Sequence, residues 1–237
     1  TYGKKGMHSM NDEYREKSSG VRAKKGMTID EVYQRIKEMI YYNQLAPGQK
    51  IIYNDLANRL QISATPVIQA LKRLETSRIV NYIPNKGYFV GEITEIEARQ
   101  LYQAREALET YIIPAVIQNL TPEKLDDIRE TFKKYEKANR RVLILVDAQF
   151  HLKIVEYACN EVIYQLLKDI FERIYLKYRP EYMGDNREKE VLKEHHEILE
   201  SLRKGDAEDT IRTVKQHISL GRDHVVGSLL GDRKLSI

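Results

Sequence analysis

Residues 53–90 read YNDLANRLQISATPVIQALKRLETSRIVNYIPNKGYFV, and within this stretch the hydrophobic period changes from helical to alternating. Leu56, Ala57 and Leu60 mark one face of a short helix. Ser63 then offers its hydroxyl to the free amides of the next helix, whose buried stripe is Val67, Ala70, Leu71 and Leu74. Pro66 falls in the first turn of that helix, where a missing N–H costs least. From Val80 the period becomes two. Val80 and Tyr82, the turn Asn85-Lys86-Gly87, then Tyr88 and Val90 predict a β-hairpin. Upstream, Ile29, Val32, Ile36, Met39 and Ile40 form one more helical stripe, closed by Leu45-Ala46-Pro47-Gly48. Three short helices and a hairpin within residues 27–92 outline a winged helix-turn-helix.

From residue 93 onward the pattern is helical. Thr94-Glu95-Ile96-Glu97 has the form of a capping box and opens a long helix to about residue 119 that contains Pro114. Thr121-Pro122 starts another, and further helices are predicted at about 139–158, 160–178, 187–203 and 206–230. Six helices with short connections imply an antiparallel bundle over residues 93–230, with a C-terminal tail at 231–237. The fold class expected is therefore mostly α: an N-terminal winged helix-turn-helix followed by an all-α antiparallel helical bundle. Residues 1–26 are polar and aperiodic, and are read as a flexible basic tail or an expression remnant.

The chain has 237 residues, 42% hydrophobic and 31% charged, which excludes collagen-like, low-complexity and globally disordered classes. Its longest purely aliphatic run, Val142 to Val146, is far short of a membrane span, so no membrane partner is expected. The lone Cys159 has no intrachain disulfide partner, and a cytoplasmic location is the expectation. Net charge is +4 but unevenly spread: residues 1–26 carry seven Lys/Arg against three Asp/Glu, residues 27–92 eight against six, and the remainder 24 against 26. Positive charge at the front is what contact with a polyanion requires. The residues Leu45-Ala46-Pro47-Gly48, Asp55-Leu56-Ala57, Ser63-Ala64-Thr65-Pro66-Val67, Ala70-Leu71 and Pro84-Asn85-Lys86-Gly87 resemble the DNA-binding domain of GntR-family bacterial transcription regulators.

In the back half, Asp147 and His151 are four apart on a predicted helix and share a face about 6 Å apart along its axis. His195 stands ten residues before Gly205 and His217 twelve after it. Folding back at Gly205-Asp206 brings both imidazoles to a similar height on neighbouring helices, so three helices can aim four ligands at one point. One carboxylate and three imidazoles suit Zn²⁺, with Ni²⁺ and Mn²⁺ as other divalent candidates. Asp147-Ala148-Gln149-Phe150-His151, Glu194-His195 with Ile198-Leu199, Gly205-Asp206 and His217-Ile218 also resemble the ligand-sensing FCD domain of the FadR-type GntR branch. The resemblance implies that Asp147, His151, His195 and His217 are metal ligands and that Arg105 lies near the metal pocket. There its guanidinium can take a small carboxylate effector, or else form a salt bridge to a Glu inside the bundle. Asn160 and Arg173 are further effector-binding candidates. His196 is rotated about 100° from His195, His224 can share the face of His217, and Glu194 and Glu109 are candidates to orient an imidazole. Cys159 reads as a small core residue.

For DNA contact the candidates are Asn54 and Arg59 before the recognition helix, Thr65, Gln69, Lys72 and Arg73 on it, and Asn85, Lys86 and Tyr88 on the wing. Against the family pattern, Ala64 and Ile68 stand where arginine is usual. Arginine is the common bidentate partner of guanine, so a half-site with fewer essential guanines is expected. The expected function is a homodimeric transcription regulator bound to a double-stranded DNA operator and controlled by a small carboxylate at the metal. The rival is a metal-dependent enzyme of hydrolase type, but no HExxH motif, nucleophile elbow or P-loop is present. A third reading makes the metal purely structural.

Overall fold

The computed structural model describes residues 26–135, 140–178 and 185–235. Apart from Gly26, the segment expected as a basic tail lies outside the described residues.

The front half begins with α1 (Ile29–Tyr41). Thr28 and Glu31 close a reciprocal capping box at its start: the Glu31 amide donates to Thr28 Oγ1 at 3.2 Å and the Thr28 amide donates to Glu31 Oε2 at 2.8 Å. A two-residue strand β1 (Lys50–Ile51), absent from the sequence reading, precedes α2 (Tyr53–Leu60) and α3 (Ala64–Thr76). Ser63 sits at the N-cap of α3, yet its side chain makes no capping bond. The hairpin consists of β2 (Val80–Ile83) and β3 (Gly87–Val90), in register Val80↔Val90 and Ile83↔Gly87. Asn85 and Gly87 adopt φ of 61° and 96°, the left-handed region that a tight hairpin turn demands. β1 pairs antiparallel with β3, so the sheet order is β1-β3-β2. The helical stripes meet the wing in a core that includes Val32, Ile36, Val67, Leu71, Leu74, Val80 and Val90. Leu176, from far along the chain, completes this core.

Among the described residues, six helices form the back half: α4 (Glu95–Asn119), α5 (Pro122–Tyr135), α6 (Arg140–Glu156), α7 (Glu161–Lys177), α8 (Asp185–Lys204) and α9 (Ala207–Leu235). The last runs beyond the expected end near residue 230, so residues 231–235, expected as tail, are helical. α9 packs along α4 and α8, α6 lies between α5 and α7, and α7 also packs on α4. The α8–α9 turn is made by Gly205, at φ 70°, and by Asp206, whose Oδ1 accepts the Asp209 amide at 3.0 Å. Thr94 accepts the Glu97 amide as a capping box requires, but the Glu97 carboxylate turns to Arg173 and Lys177 on α7 instead of reaching back. Among the described residues no helix is long and apolar enough to cross a membrane.

Candidate metal centre and DNA-binding face

α6 presents Asp147 and His151 one turn apart, while the fold-back at Gly205 sets His195 on α8 beside His217 on α9. One ligand atom from each of the four lies within 4.8 Å of all the others. His195 Nε2 is 3.1 Å from Asp147 Oδ1, and the Nε2 atoms of His151 and His217 stand 3.9 and 3.8 Å from the same oxygen. The three imidazoles are buried; Asp147, with its side chain 20% exposed, marks the open side. Phe150 stacks on His195 with ring centres 4.3 Å apart, and Phe171 stacks on His151 at 5.7 Å.

The outer nitrogens of two imidazoles are fixed by carboxylates. His151 Nδ1 lies 2.7 Å from Glu109 Oε2, and His217 Nδ1 lies 2.7 Å from Glu194 Oε2. Each carboxylate is backed by a buried arginine. Arg105 Nε donates to Glu109 Oε1 at 2.8 Å, and Arg187 donates to both Glu194 oxygens, at 2.5 and 2.9 Å. Burial raises the Glu109 carboxyl, but the Arg105 charge and the His151 hydrogen bond outweigh it and hold the group at about 2. Burial also raises Glu194, and its bonds to His217 and Arg187 bring it below the usual carboxylate range. Ionised carboxylates only accept hydrogen bonds, so both Nδ1 atoms carry protons. The Nε2 atoms of His151 and His217 face one another across the centre at 3.0 Å.

Burial pushes His195 down to about 3 and lowers His217 as well, so both are neutral at pH 7. Asp147 is raised by burial, but the His195 hydrogen bond and nearby positive charge bring it well below its ordinary value. Neutral His195 and His217 and an ionised Asp147 are in the protonation state that ligation of a divalent cation requires. With His151 they form a donor set that fits a divalent cation.

The remaining site candidates separate. Glu109 and Glu194 do orient imidazoles. Arg105 forms the intrabundle salt bridge to Glu109, yet its Nη2 is buried with no hydrogen-bond partner among the described residues. Its guanidinium lies 4.3 Å from the Phe171 ring centre and 5.2 Å from that of Tyr102. His196 is exposed, and His224 contributes nothing to the four-ligand cluster. Asn160 is exposed at the N-cap of α7, where its Oδ1 accepts the Ile163 amide at 3.0 Å, so the structure corrects its placement in the pocket. Arg173 is likewise redirected: its Nη2 donates to Glu97 at 2.7 Å. Cys159 is exposed at a turn, with φ 55°, not a core residue. Arg187 and Phe171 were missed by the sequence reading. Arg187 precedes Glu194 by seven residues, two helical turns, which was the available signal.

On the front half, Thr65, Gln69 and Lys72 recur at helical spacing on the exposed face of α3. Asn54 and Arg59 on α2 and Asn85 and Lys86 at the wing turn are also exposed. Two candidates depart from expectation. Arg73 points to α1, where it pairs with Asp30 and lies 4.6 Å from the Tyr33 ring centre. Tyr88 is only 8% exposed, because β3 alternates and Tyr88 shares the inward face with Val90. Its cross-strand neighbour Tyr82 is 49% exposed instead.

The sequence matches the family described as "Bacterial regulatory proteins, gntR family" over residues 28–90 and the FCD domain over residues 100–220. The chain belongs to the GntR family. It is a DNA-binding transcription regulator of the GntR/FCD type. Among its relatives is "Uncharacterized HTH-type transcriptional regulator YdhC" of Bacillus subtilis, 25% identical over 198 residues that cover 81% of this chain and 88% of the relative. The HTH-type transcriptional regulator McbR of Escherichia coli is 26% identical over 184 residues, 75% of this chain and 83% of McbR. The solved structure of E. coli McbR/YncC has the same fold, with TM-score 0.70 and 23% identity, covering 83% of this chain and 95% of the other. A GntR regulator structure from Rhodococcus sp. RHA1 aligns with TM-score 0.74 and 19% identity over 84% of this GntR chain and 97% of the other.

Proposed function

We propose that this regulator senses a small carboxylate through a divalent cation, Zn²⁺ first among candidates, held by Asp147, His151, His195 and His217. The observation that carries the reading is the convergence of one carboxylate and three buried imidazoles from three helices, with one ligand atom of each within 4.8 Å of all the others. A bound cation supplies a Lewis-acid contact for one carboxylate oxygen. Arg105 supplies the second contact, since its Nη2 is a buried donor with no hydrogen-bond partner among the described residues and its guanidinium lies against the Phe171 and Tyr102 rings. Effector and cation bind one packing of the bundle better than another, and that difference is what reaches the DNA reader.

The reader works as a homodimer. On α4, Ile96, Gln100, Gln103, Ala107 and Tyr111 recur every three or four residues, exposed and uncharged, in a chain that is 31% charged. Ile96 is 70% and Tyr111 75% exposed, a surface suited to a second copy. Two readers then meet half-sites about one helical turn apart or a multiple of it. Elemental analysis and native mass spectrometry of protein purified without chelator test the reading together. One divalent cation per chain and a dimer mass are expected, with a metal- and carboxylate-sensitive mobility shift on the DNA upstream of the chain's own gene. Protein that neither retains nor takes up any divalent cation overturns it.

A further inference from the structure

We propose that the last two turns of α7 tie the DNA reader to the metal centre, with Glu172 and Lys37 as the pair that positions the reader. The link from the metal to DNA affinity rests on the proposed function; the tie itself does not.

Consecutive residues of α7 face the two halves in turn. Phe171 is buried in the core of the helical half, stacked on the ligand His151 and 4.3 Å below the Arg105 guanidinium. Glu172, rotated by about 100°, accepts a hydrogen bond from Lys37 Nζ of α1 at 2.6 Å, with both side chains largely buried. One turn later the same two faces repeat. Tyr175 packs against both cores and meets Tyr41 of α1 edge-on at 6.2 Å, while Leu176 is 3% exposed and belongs to the reader's own core. Lys177 ends the helix against the root of the wing: a Cβ on Gly91 would lie 2.9 Å from Lys177 Cε. Arg173 and Lys177 both bond Glu97 at the start of α4, which draws the interdomain connection onto the same helix.

α1 and α7 form the principal contact between the halves. Packed interiors pass on displacements because they hardly compress. A group that enters beside Arg105 and moves Phe171 therefore moves Glu172 and Leu176, and the reader moves with them. Glu172 neither ligates the metal nor faces the DNA. It is a positioning residue.

The test uses the full chain in a Cys159→Ser background, with spin labels at Glu75→Cys on α3 and Glu197→Cys on α8, diluted with unlabelled protein. Both label sites are exposed. In metal-free protein, Glu172→Gln and Lys37→Met are expected to shift or broaden the interdomain distance distribution. The charge-exchanged double variant Lys37→Glu with Glu172→Lys is expected to restore it, which general destabilisation does not do. Distributions in Glu172→Gln and Lys37→Met that superimpose on the parent overturn the proposal, whether or not metal binds. Zn²⁺ alone is then the probe, its affinity measured by chelator competition. A change in DNA affinity of about fivefold or more on adding Zn²⁺ is expected in the parent. Glu172→Gln is expected to keep the Zn²⁺ affinity and lose that response. A parent that binds Zn²⁺ without response, or a Glu172→Gln variant that responds equally, overturns the relay. A parent that binds no Zn²⁺ overturns the metal reading instead, and the metal-free comparison alone then decides the tie.

Discussion

Replacing Glu194 by Gln tests the metal centre without touching a ligand. Glu194 Oε2 holds His217 Nδ1 at 2.7 Å while Arg187 grips the same carboxylate through two nitrogens. The Gln amide oxygen can still accept the Nδ1 proton but brings no charge, so His217 becomes a poorer donor. Outer partners of this kind are worth about 10–100-fold in metal affinity, and a substitution that keeps the geometry belongs at the lower end. At a Zn²⁺ concentration about 100 times the parent Kd, binding stabilises the parent by about 2.7 kcal/mol. A tenfold weaker site retains about 1.4 kcal/mol at that concentration. For a chain of this size 1 kcal/mol moves Tm by about 2–4 °C, so the zinc-induced rise should fall from about 5–11 °C to about 3–6 °C. Calorimetry with and without Zn²⁺ reads this, each variant against its own metal-free form, because Glu194→Gln also loosens Arg187. A Glu194→Gln variant with the full parental rise refutes the reasoning: His217 would not then be a ligand tuned from behind.

Metal-free protein should lose stability as pH falls. His195 is held at about 3 by burial, so below its ordinary value of about 6.5 the unfolded chain takes up a proton that the native state refuses. That stability is intact above pH 6.5 and is lost on descent toward pH 3. Between pH 7 and 5 it amounts to ~2 kcal/mol from His195 alone, with His217 adding in the same direction. An unchanged urea midpoint at pH 5 contradicts it. On DNA, Lys72→Ala should weaken binding across sequences and reduce the salt slope by about 1, whereas Arg73→Ala, whose guanidinium is tied to Asp30, should leave the slope unchanged. Gln69→Ala should instead relax preference at one base pair by about 1–3 kcal/mol in a binding-site selection. Gly91→Ala should lower Tm and cost about 1–3 kcal/mol, since its Cβ would sit 2.7 Å from the Ile79 carbonyl oxygen that accepts the Gly91 amide.

The helices were legible because their apolar positions repeat, and the four-ligand centre because Gly205-Asp206 fixes where the chain folds back. Tyr88 was misassigned although the alternation that named the strand already placed it beside Val90 on the inward face. Other features are tertiary and leave no local trace. The strand Lys50–Ile51 is too short for a period and exists because the open edge of β3 accepts it. Glu97 carries the capping-box signature but is drawn away by Arg173 and Lys177, residues nearly eighty positions distant. Asn160 and Arg173 are pocket candidates in the sequence, but a helix cap and an ion pair take their polar atoms.

Leu176 has a consequence for how the chain can be divided. A fragment that stops after the wing would leave an aliphatic socket open to water, at a cost on the order of 2–5 kcal/mol if it behaves like a buried leucine cut back to alanine. Grafting this reader onto another bundle therefore means grafting its plug as well. Modules that look interchangeable in the linear order of the gene are, at this one socket, a single folding unit.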